Sequence, residues 1–297
     1  MVCHQRKIRN EKASKPLPDE HHRRAAASSY DNAVVCEITR DEAKSVILDY
    51  EWLGNMGTSQ YFVGLFFGWY LAGVACFGST AGSQVPQSIC GTEHADKVVT
   101  LVRGACVHWA DRTIGEHTGA AASYLINRAC DLLAKKTPAR NIFVAYSDVE
   151  AGEIGTVYQA ANWLYVGAGG TPTLYVHPDG RKKDSRVIGT MTRSRKGRPD
   201  RKTATPEMMR AWASEMAAKG YKVHDGKTPY FEKMTRKQAH DKLVAEGFVP
   251  QKGTAKHRYI HFAGDKRTLR VLHKALKLKV LPYPKRGSSE SSHQKVS

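Results

Sequence analysis

The sequence predicts a mixed α/β domain, one sheet built around a central helix, with a small basic α/β appendage on its C-terminal side. Three observations predict it. Between residues 31 and 177, short apolar and β-branched runs alternate with capped or periodic helical segments, the pattern of a sheet covered by helices. Residues 61–78 form one long apolar stretch that glycines divide. Charge is segregated: the chain carries +18, but residues 31–177 are at −5 and the remainder at +23. With 297 residues, 41% of them apolar, and about 150 residues to a domain, the chain has room for one core and one addition.

Taken in order, residues 1–30 are polar and read as a frayed tail, as do residues 286–297. Val34-Val35-Cys36-Glu37-Ile38 reads as the first strand. Thr39 followed by Glu42 is a capping box that opens a helix through about Asp49. Residues 61–78 (YFVGLFFGWYLAGVACFG) reach the length of a membrane span, but Gly64, Gly68, Gly73 and Gly78 punctuate them, so they read as a buried hairpin turning near Gly68-Trp69. The chain is therefore expected to have no membrane partner. Lys97–Cys106 predicts the next strand, a Gly- and Thr-rich loop follows, and a helix is expected over Ala121–Ala134, ending before Pro138. Asn141–Tyr146 is a strand, Ile154–Ala161 a short helix, and Leu164-Tyr165-Val166 a strand again. A helix over 205–222 and then a small helix, strand and helix at Thr235–Glu246, Arg258–Phe262 and Lys266–Leu276 complete the chain. This divides it into a core, residues 31–177, and a basic extension, residues 178–285.

The six cysteines lie far apart with no Cys-x-x-Cys pair, which predicts reduced thiols in a cytosolic protein, with no structural metal. No apolar segment of a cleavable signal follows the basic residues at the N-terminus. His257 and His261 have a helical metal-ligand spacing, but their segment reads as a strand, where residues four apart lie about 13 Å from each other. They are expected at the surface or facing phosphate. Residues 181–202 carry ten basic side chains against Asp184 and Asp200, and residues 252–286 carry eleven against Asp265. Clustered cations of this kind fit a polyanionic partner, because they release counterions from a phosphate backbone. With Gly189, Gly197 and Pro199 among them, residues 181–202 read as a mobile loop around a short strand, in which Arg193, Arg195, Lys196 and Arg198 are candidate nucleic-acid contacts.

The order strand, helix, hairpin, strand, glycine-rich loop, helix, strand, helix, strand resembles that of a GNAT-type acyltransferase. A more specific resemblance lies in Tyr146-Ser147-Asp148 followed by Gly155-Thr156-Val157-Tyr158-Gln159-Ala160-Ala161-Asn162-Trp163-Leu164-Tyr165-Val166-Gly167. Glu51-Trp52-Leu53-Gly54-Asn55-Met56-Gly57, Ser123-Tyr124-Leu125-Ile126, Lys256-His257-Arg258-Tyr259 and Val280-Leu281-Pro282-Tyr283-Pro284 extend it over roughly residues 45–285. On these residues the chain resembles the Mom family of bacteriophage DNA-modification proteins. The resemblance implies conversion of the N6 amine of adenine in double-stranded DNA to a carbamoylmethyl (acetamide-type) derivative, in the host bacterial cytoplasm, as a protection against host restriction. Two departures stand out. Family members often place His-Tyr where this chain has Glu51-Trp52. The acyl-donor pyrophosphate signature is degenerate as well, its positions reading His117, Ala120 and Ala122.

Within that frame the candidate catalytic residues are Asp148, Tyr158, Ser123 and Glu51. Ser123 opens the central helix, where its hydroxyl and amide could meet a developing oxyanion, or simply cap the helix. Asp148 follows a strand end that faces the ligand crevice of an α/β sheet, where it could hold the N6 amine and take its proton, or cap the next helix. Tyr158 could act as general acid, or be a core tyrosine. Glu51 could take over a proton-transfer role, and Trp52 could stack on the base. Arg103 could bind a phosphate or carbonyl, or serve as an ion-pair partner. Asn162 could frame the pocket, whereas Trp163 reads as core. The donor stays open between acetyl-CoA, which lacks the nitrogen of a carbamoylmethyl group, and glycyl-tRNA, whose glycyl group has the same atoms in another order. An N-acetyltransferase acting on another amine and a noncatalytic DNA-binding protein are the competing classes.

Overall fold

The computed structural model describes residues 3–14, 33–80, 82, 84–110, 120–136, 138–200, 203–224 and 229–285. In chain order they form α1 (His4–Ser14), β1 (Ala33–Glu37), α2 (Arg40–Tyr50), β2 (Ser59–Phe67), β3 (Tyr70–Gly78), α3 (Val85–Cys90), a 3-10 turn (Thr92–Lys97), β4 (Val98–Cys106), α4 (Ala120–Ala134), β5 (Ile142–Ser147) and α5 (Thr156–Ala160). There follow β6 (Leu164–Ala168), β7 (Thr173–Val176), β8 (Lys182–Asp184), α6 (Arg186–Thr192), β9 (Arg193–Ser194), α7 (Pro206–Ala218), β10 (Val223–His224), β11 (Tyr230–Glu232), α8 (Arg236–Ala245), β12 (Val249–Lys252), β13 (His257–Phe262) and α9 (Lys266–Ala275). The residues up to 169 and those from 255 onward make one compact unit, and Gly170–Thr254 makes a second.

The first unit holds a seven-stranded sheet in the order β1-β2-β3-β4-β5-β13-β6. Its local structure follows from local chemistry. Thr39 and Glu42 form the expected capping box of α2, the Glu42 amide donating to Thr39 Oγ1 at 3.2 Å and the Thr39 amide to Glu42 Oε2 at 2.7 Å. The apolar stretch is the β2–β3 hairpin: Phe67 pairs with Tyr70, and Gly68, at φ +55°, makes the two-residue turn that an L side chain would strain. Trp69 at its tip is 95% exposed. Among the described residues no helix is long and apolar enough to cross a membrane. The central helix α4 buries Ala121, Leu125, Ile126, Ala129, Cys130 and Leu133, a stripe at helical spacing. All six cysteines are free thiols.

Two expectations are corrected here. Arg258–Phe262 does not belong to the appendage, because β13 runs antiparallel between β5 and β6 and completes the main sheet. The chain thus leaves the first unit at 169, builds the second, and returns at 255, so the boundary expected at 177 and 178 falls earlier and is crossed twice. Part of the expected N-terminal tail is the helix α1, which packs on α2 (Lys12 Nζ 3.5 Å from Asp49 Oδ1); residues 15–30 and the tail from 286 lie outside the described residues. The second unit has two three-stranded sheets, β12-β7-β8 and β10-β11-β9. Tyr175, Ile188, Leu243 and Phe248 are buried in one small core, and Trp212, Met216 and Phe231 in another.

Candidate active site

The geometry starts from a parting of strands. β4 and β5 run parallel but pair only from Val98 and Ile142 to Thr100 and Val144. Beyond that, β4 carries an extra residue at Val102 and stays with β3, whereas β5 stays with β13. A bulge bends and twists its strand, so the two parallel strands separate. Ligands of open α/β sheets bind where neighbouring strands part at their C-terminal ends. Side chains from both banks occupy this place.

On the β4 bank, Glu51 ends α2 and is 7% exposed. Its Oε2 accepts the Leu53 amide at 2.9 Å and stands 3.7 Å from Arg103 Nε. Burial pushes the Glu51 carboxyl up; Arg103 and the Leu53 amide oppose the shift, and Glu153 adds to it. Arg103 is itself engaged, donating from Nε to the Asn55 carbonyl at 2.8 Å and from a terminal nitrogen to Asn55 Oδ1 at 2.7 Å. It is the ion-pair partner that holds the Glu51–Gly57 turn. On the β5 bank, Asp148 is tied down: Oδ2 lies 2.7 Å from Lys256 Nζ, and Oδ1 accepts the Glu150 amide at 3.0 Å. Glu153, five residues on, has its carboxyl raised, first by burial and then by the Asp148 charge, against the Asp148 amide, Lys256 and His4. Tyr158, on α5, packs against Trp163 and Tyr259 with ring centroids 5.4 and 5.2 Å away. Burial, then Glu153, Tyr259 and Glu51, push its phenol well above the usual tyrosine range. Two carboxylates and a phenol, each disfavoured as an anion, therefore share one electrostatic neighbourhood.

Other sequence candidates fall elsewhere. Ser123 lies in the first turn of α4, partly buried. Of the degenerate donor signature, Ala120 and Ala122 stand on that helix, whereas His117 lies outside the described residues. Asn162 is exposed and adopts φ +58°. A left-handed asparagine is a normal helix stop, and the Trp163 amide donates to the Tyr158 carbonyl across it at 2.9 Å, so Asn162 ends α5. Trp163 is fully buried, as expected, its indole donating to Asn127 Oδ1 at 3.0 Å. Trp52 faces α1: the His4 ring meets it edge-on at 5.2 Å, and Gln5 Oε1 accepts its amide at 3.1 Å. His257 is buried and His261 half-buried. His257 is 7% exposed and bonds the Tyr165 hydroxyl at 2.9 Å, and His261 stacks on Trp163 with burial lowering its pKa. Their strand lies inside the sheet, which period-two patterning alone does not reveal. Sequence reasoning missed Glu153 and His4. Glu153 sits in an irregular loop where no periodicity marks it, and His4 belongs to a segment whose composition resembles a tail.

The sheet, its central helix and the parted parallel strands define a mixed α/β domain. The chain belongs to the Mom protein family, whose model matches residues 32–285. No curated protein matches it significantly. Among solved structures it is similar to yncA from Salmonella typhimurium, solved with its cofactor acetyl-CoA (11% identity over 48% of this chain and 83% of that one, TM-score 0.29). It is also similar to a Bacillus subtilis acetyltransferase in complex with CoA (14%, 45% and 76%, TM-score 0.27) and to an N-acetyltransferase from Staphylococcus aureus Mu50 (14%, 48% and 87%, TM-score 0.28). Similarities this remote do not define chemistry.

Proposed function

We propose that the protein is a DNA-modifying transferase that converts the N6 amine of adenine to a carbamoylmethyl (acetamide-type) derivative, shielding phage DNA from host restriction enzymes. The observation that supports an amine-acylating chemistry is that Glu153, Glu51 and Tyr158, carried by the segments that follow α2 and β5, feel one another's charge and are each held toward the protonated form by burial. That the amine is adenine N6 rests on membership of the Mom family. In the proposed step the N6 lone pair attacks the carbonyl of an activated acyl donor. Glu153, made more basic by burial, accepts the N6 proton as the C–N bond forms. Tyr158 donates its proton to the departing sulfur or oxygen as its bond to the carbonyl carbon breaks, so that the donor leaves as a thiol or hydroxyl. Glu51 is charge-balanced by Arg103 and orients the pocket. Asp148 acts through Lys256 and the loop that carries Glu153.

A glycyl donor gives the atoms of the product directly. Transfer of glycyl to N6, addition of its free amine to C6 through a five-membered spiro adduct, and cleavage of the original C6–N6 bond convert one isomer into the other: the glycyl nitrogen becomes the new exocyclic amine and the displaced nitrogen becomes the carboxamide, with glycyl-tRNA as the proposed substrate. Acetyl-CoA would need a separate source of nitrogen. Adenine N6 is enclosed in the stack of a duplex, so the base is flipped out for reaction. N6 is also the donor by which adenine is read in the major groove, and a substituent there obstructs such readers.

The test is nucleoside analysis of DNA from cells expressing the protein, fed isotopically labelled glycine or acetate. A new adenine nucleoside carrying the glycine label is expected. Unmodified DNA with acetylated amines elsewhere, or DNA binding with no product, would overturn the reading.

A further inference from the structure

The cationic side chains of the chain differ in how far they are neutralised at home. In residues 181–202, Arg181 is 2.6 Å from Asp179, Lys183 is 3.3 Å from Glu246, and Arg186 is paired with Asp184. Arg193 lies over the Tyr230 ring at 4.8 Å, and Arg198 donates to the Pro229 carbonyl at 3.4 Å. Lys182, Arg195 and Lys196 are exposed with no carboxylate within ion-pair distance among the described residues, and this holds for every lysine and arginine of α9 and of Leu276–Lys279 after it. Lys266, Arg267, Arg270, Lys274, Lys277 and Lys279 are all exposed. None lies within ion-pair distance of a carboxylate among the described residues. Asp265 is occupied as the N-cap, accepting the Thr268 amide at 2.7 Å, and Glu93, which feels Lys277, stands on the 3-10 turn.

We infer that α9, with the depression beside it, is a docking surface for the phosphate backbone of duplex DNA. The inference rests on the proposed DNA substrate. Lys266, Arg270 and Lys274 recur every four residues, forming a stripe about 12 Å long on one side of the helix. Such a stripe meets several phosphates of one strand. The opposite side is committed to the core: Leu272 is 1% exposed, and Leu269 packs with it against Val98, Ile142, Val144 and Ile260. The helix therefore has no apolar face to insert into a lipid surface, and its charge faces solvent. Between α9 and the 3-10 turn lies a depression of about 190 Å³ lined by His94, Lys97, Arg267, Thr268, Val271 and Leu272. His94 Nδ1 is buried there without a hydrogen-bond partner among the described residues. An anionic oxygen entering the depression would meet two cations and this ring nitrogen, which can donate to it.

The test uses the full chain with Lys266, Arg267, Arg270 and Lys274 all changed to glutamine, a double variant Lys97→Gln with Arg267→Gln, and the wild type. Duplex DNA and tRNA affinities are measured across a salt series, with thermal melts as the folding control. For the fourfold variant the slope of log affinity against log salt for duplex DNA should become shallower by about three to four, and the dissociation constant should rise at least about tenfold at moderate salt. The double variant should lose about two units of slope, and it carries the test if the fourfold variant does not fold. Unchanged DNA binding by a folded variant overturns the inference. So does a loss confined to tRNA, which would make α9 an RNA surface. DNA binding that depends on α9 in a protein that yields no modified adenine would uphold this surface and reject the proposed chemistry.

Discussion

Gly155→Ala tests how α5 is placed. Gly155 precedes that helix at φ +73°, and its carbonyl accepts the Tyr158 and Gln159 amides at 2.9 and 3.0 Å. A Cβ there would lie 2.4 Å from Tyr259 Cε2, 2.6 Å from Cζ and 2.8 Å from the hydroxyl. Tyr259 cannot swing aside, because it is fully buried and its hydroxyl donates to the Ile154 carbonyl at 2.5 Å. The left-handed backbone costs about 1–2 kcal/mol for an L side chain, and overpacking costs about 1–3 kcal/mol more. The expected destabilisation is therefore about 2–5 kcal/mol, read as a shift of the urea unfolding midpoint. Gly68→Ala is the control: it has the same sign of φ, but nothing within 4 Å of the added carbon, so only the backbone cost of about 1–2 kcal/mol applies. Adenine modification by folded Gly155→Ala should also fall, since the Tyr259 ring packs against Tyr158. A Gly155→Ala variant within about 1 kcal/mol of the Gly68→Ala variant, with full activity, would refute the proposed packing.

Three further outcomes are expected. Burial raises the Glu153 carboxyl, so the folded state favours the protonated form; stability contributed by that proton is present below the ordinary carboxylate pKa and lost as pH rises through the raised one. Melts from acid to neutral pH should show Glu153→Gln lacking part of the wild-type decline, and being more stable at neutral pH but inactive in modification; superimposable pH profiles would remove Glu153 from the site. Tyr158→Phe should change stability by less than about 1 kcal/mol, because the hydroxyl makes no hydrogen bond among the described residues, yet it should abolish most modification; a near wild-type rate would exclude the phenol as the proton donor. Trp52→Ala should free α1, seen as faster limited proteolysis within residues 3–14, since His4 rests on that indole; unchanged cleavage with weaker DNA binding would instead return Trp52 to the base-stacking role that its sequence suggests.

The sequence by itself determined the elements whose causes are local. The Thr39 and Glu42 capping box, the Gly68-Trp69 hairpin turn, the stripe of α4 and the apolar strand β5 are each set by residues within a few positions of one another, which is why patterning reveals them. Tyr158 was legible through a family motif. Only the tertiary structure decided what depends on distant pairing. β13 reaches its place between β5 and β6 across a whole second unit, and a strand's pattern names no partner. Glu51 and Glu153 were about a hundred residues apart until the bulge at Val102 parted two strands and brought their fields together. The same limit applied to charge. Composition counted the cations of residues 181–202 and of α9 alike, but which of them meet a carboxylate is read only from the structure: Asp179, Asp184 and Glu246 pair with Arg181, Arg186 and Lys183, and no carboxylate reaches the exposed stripe of α9 among the described residues.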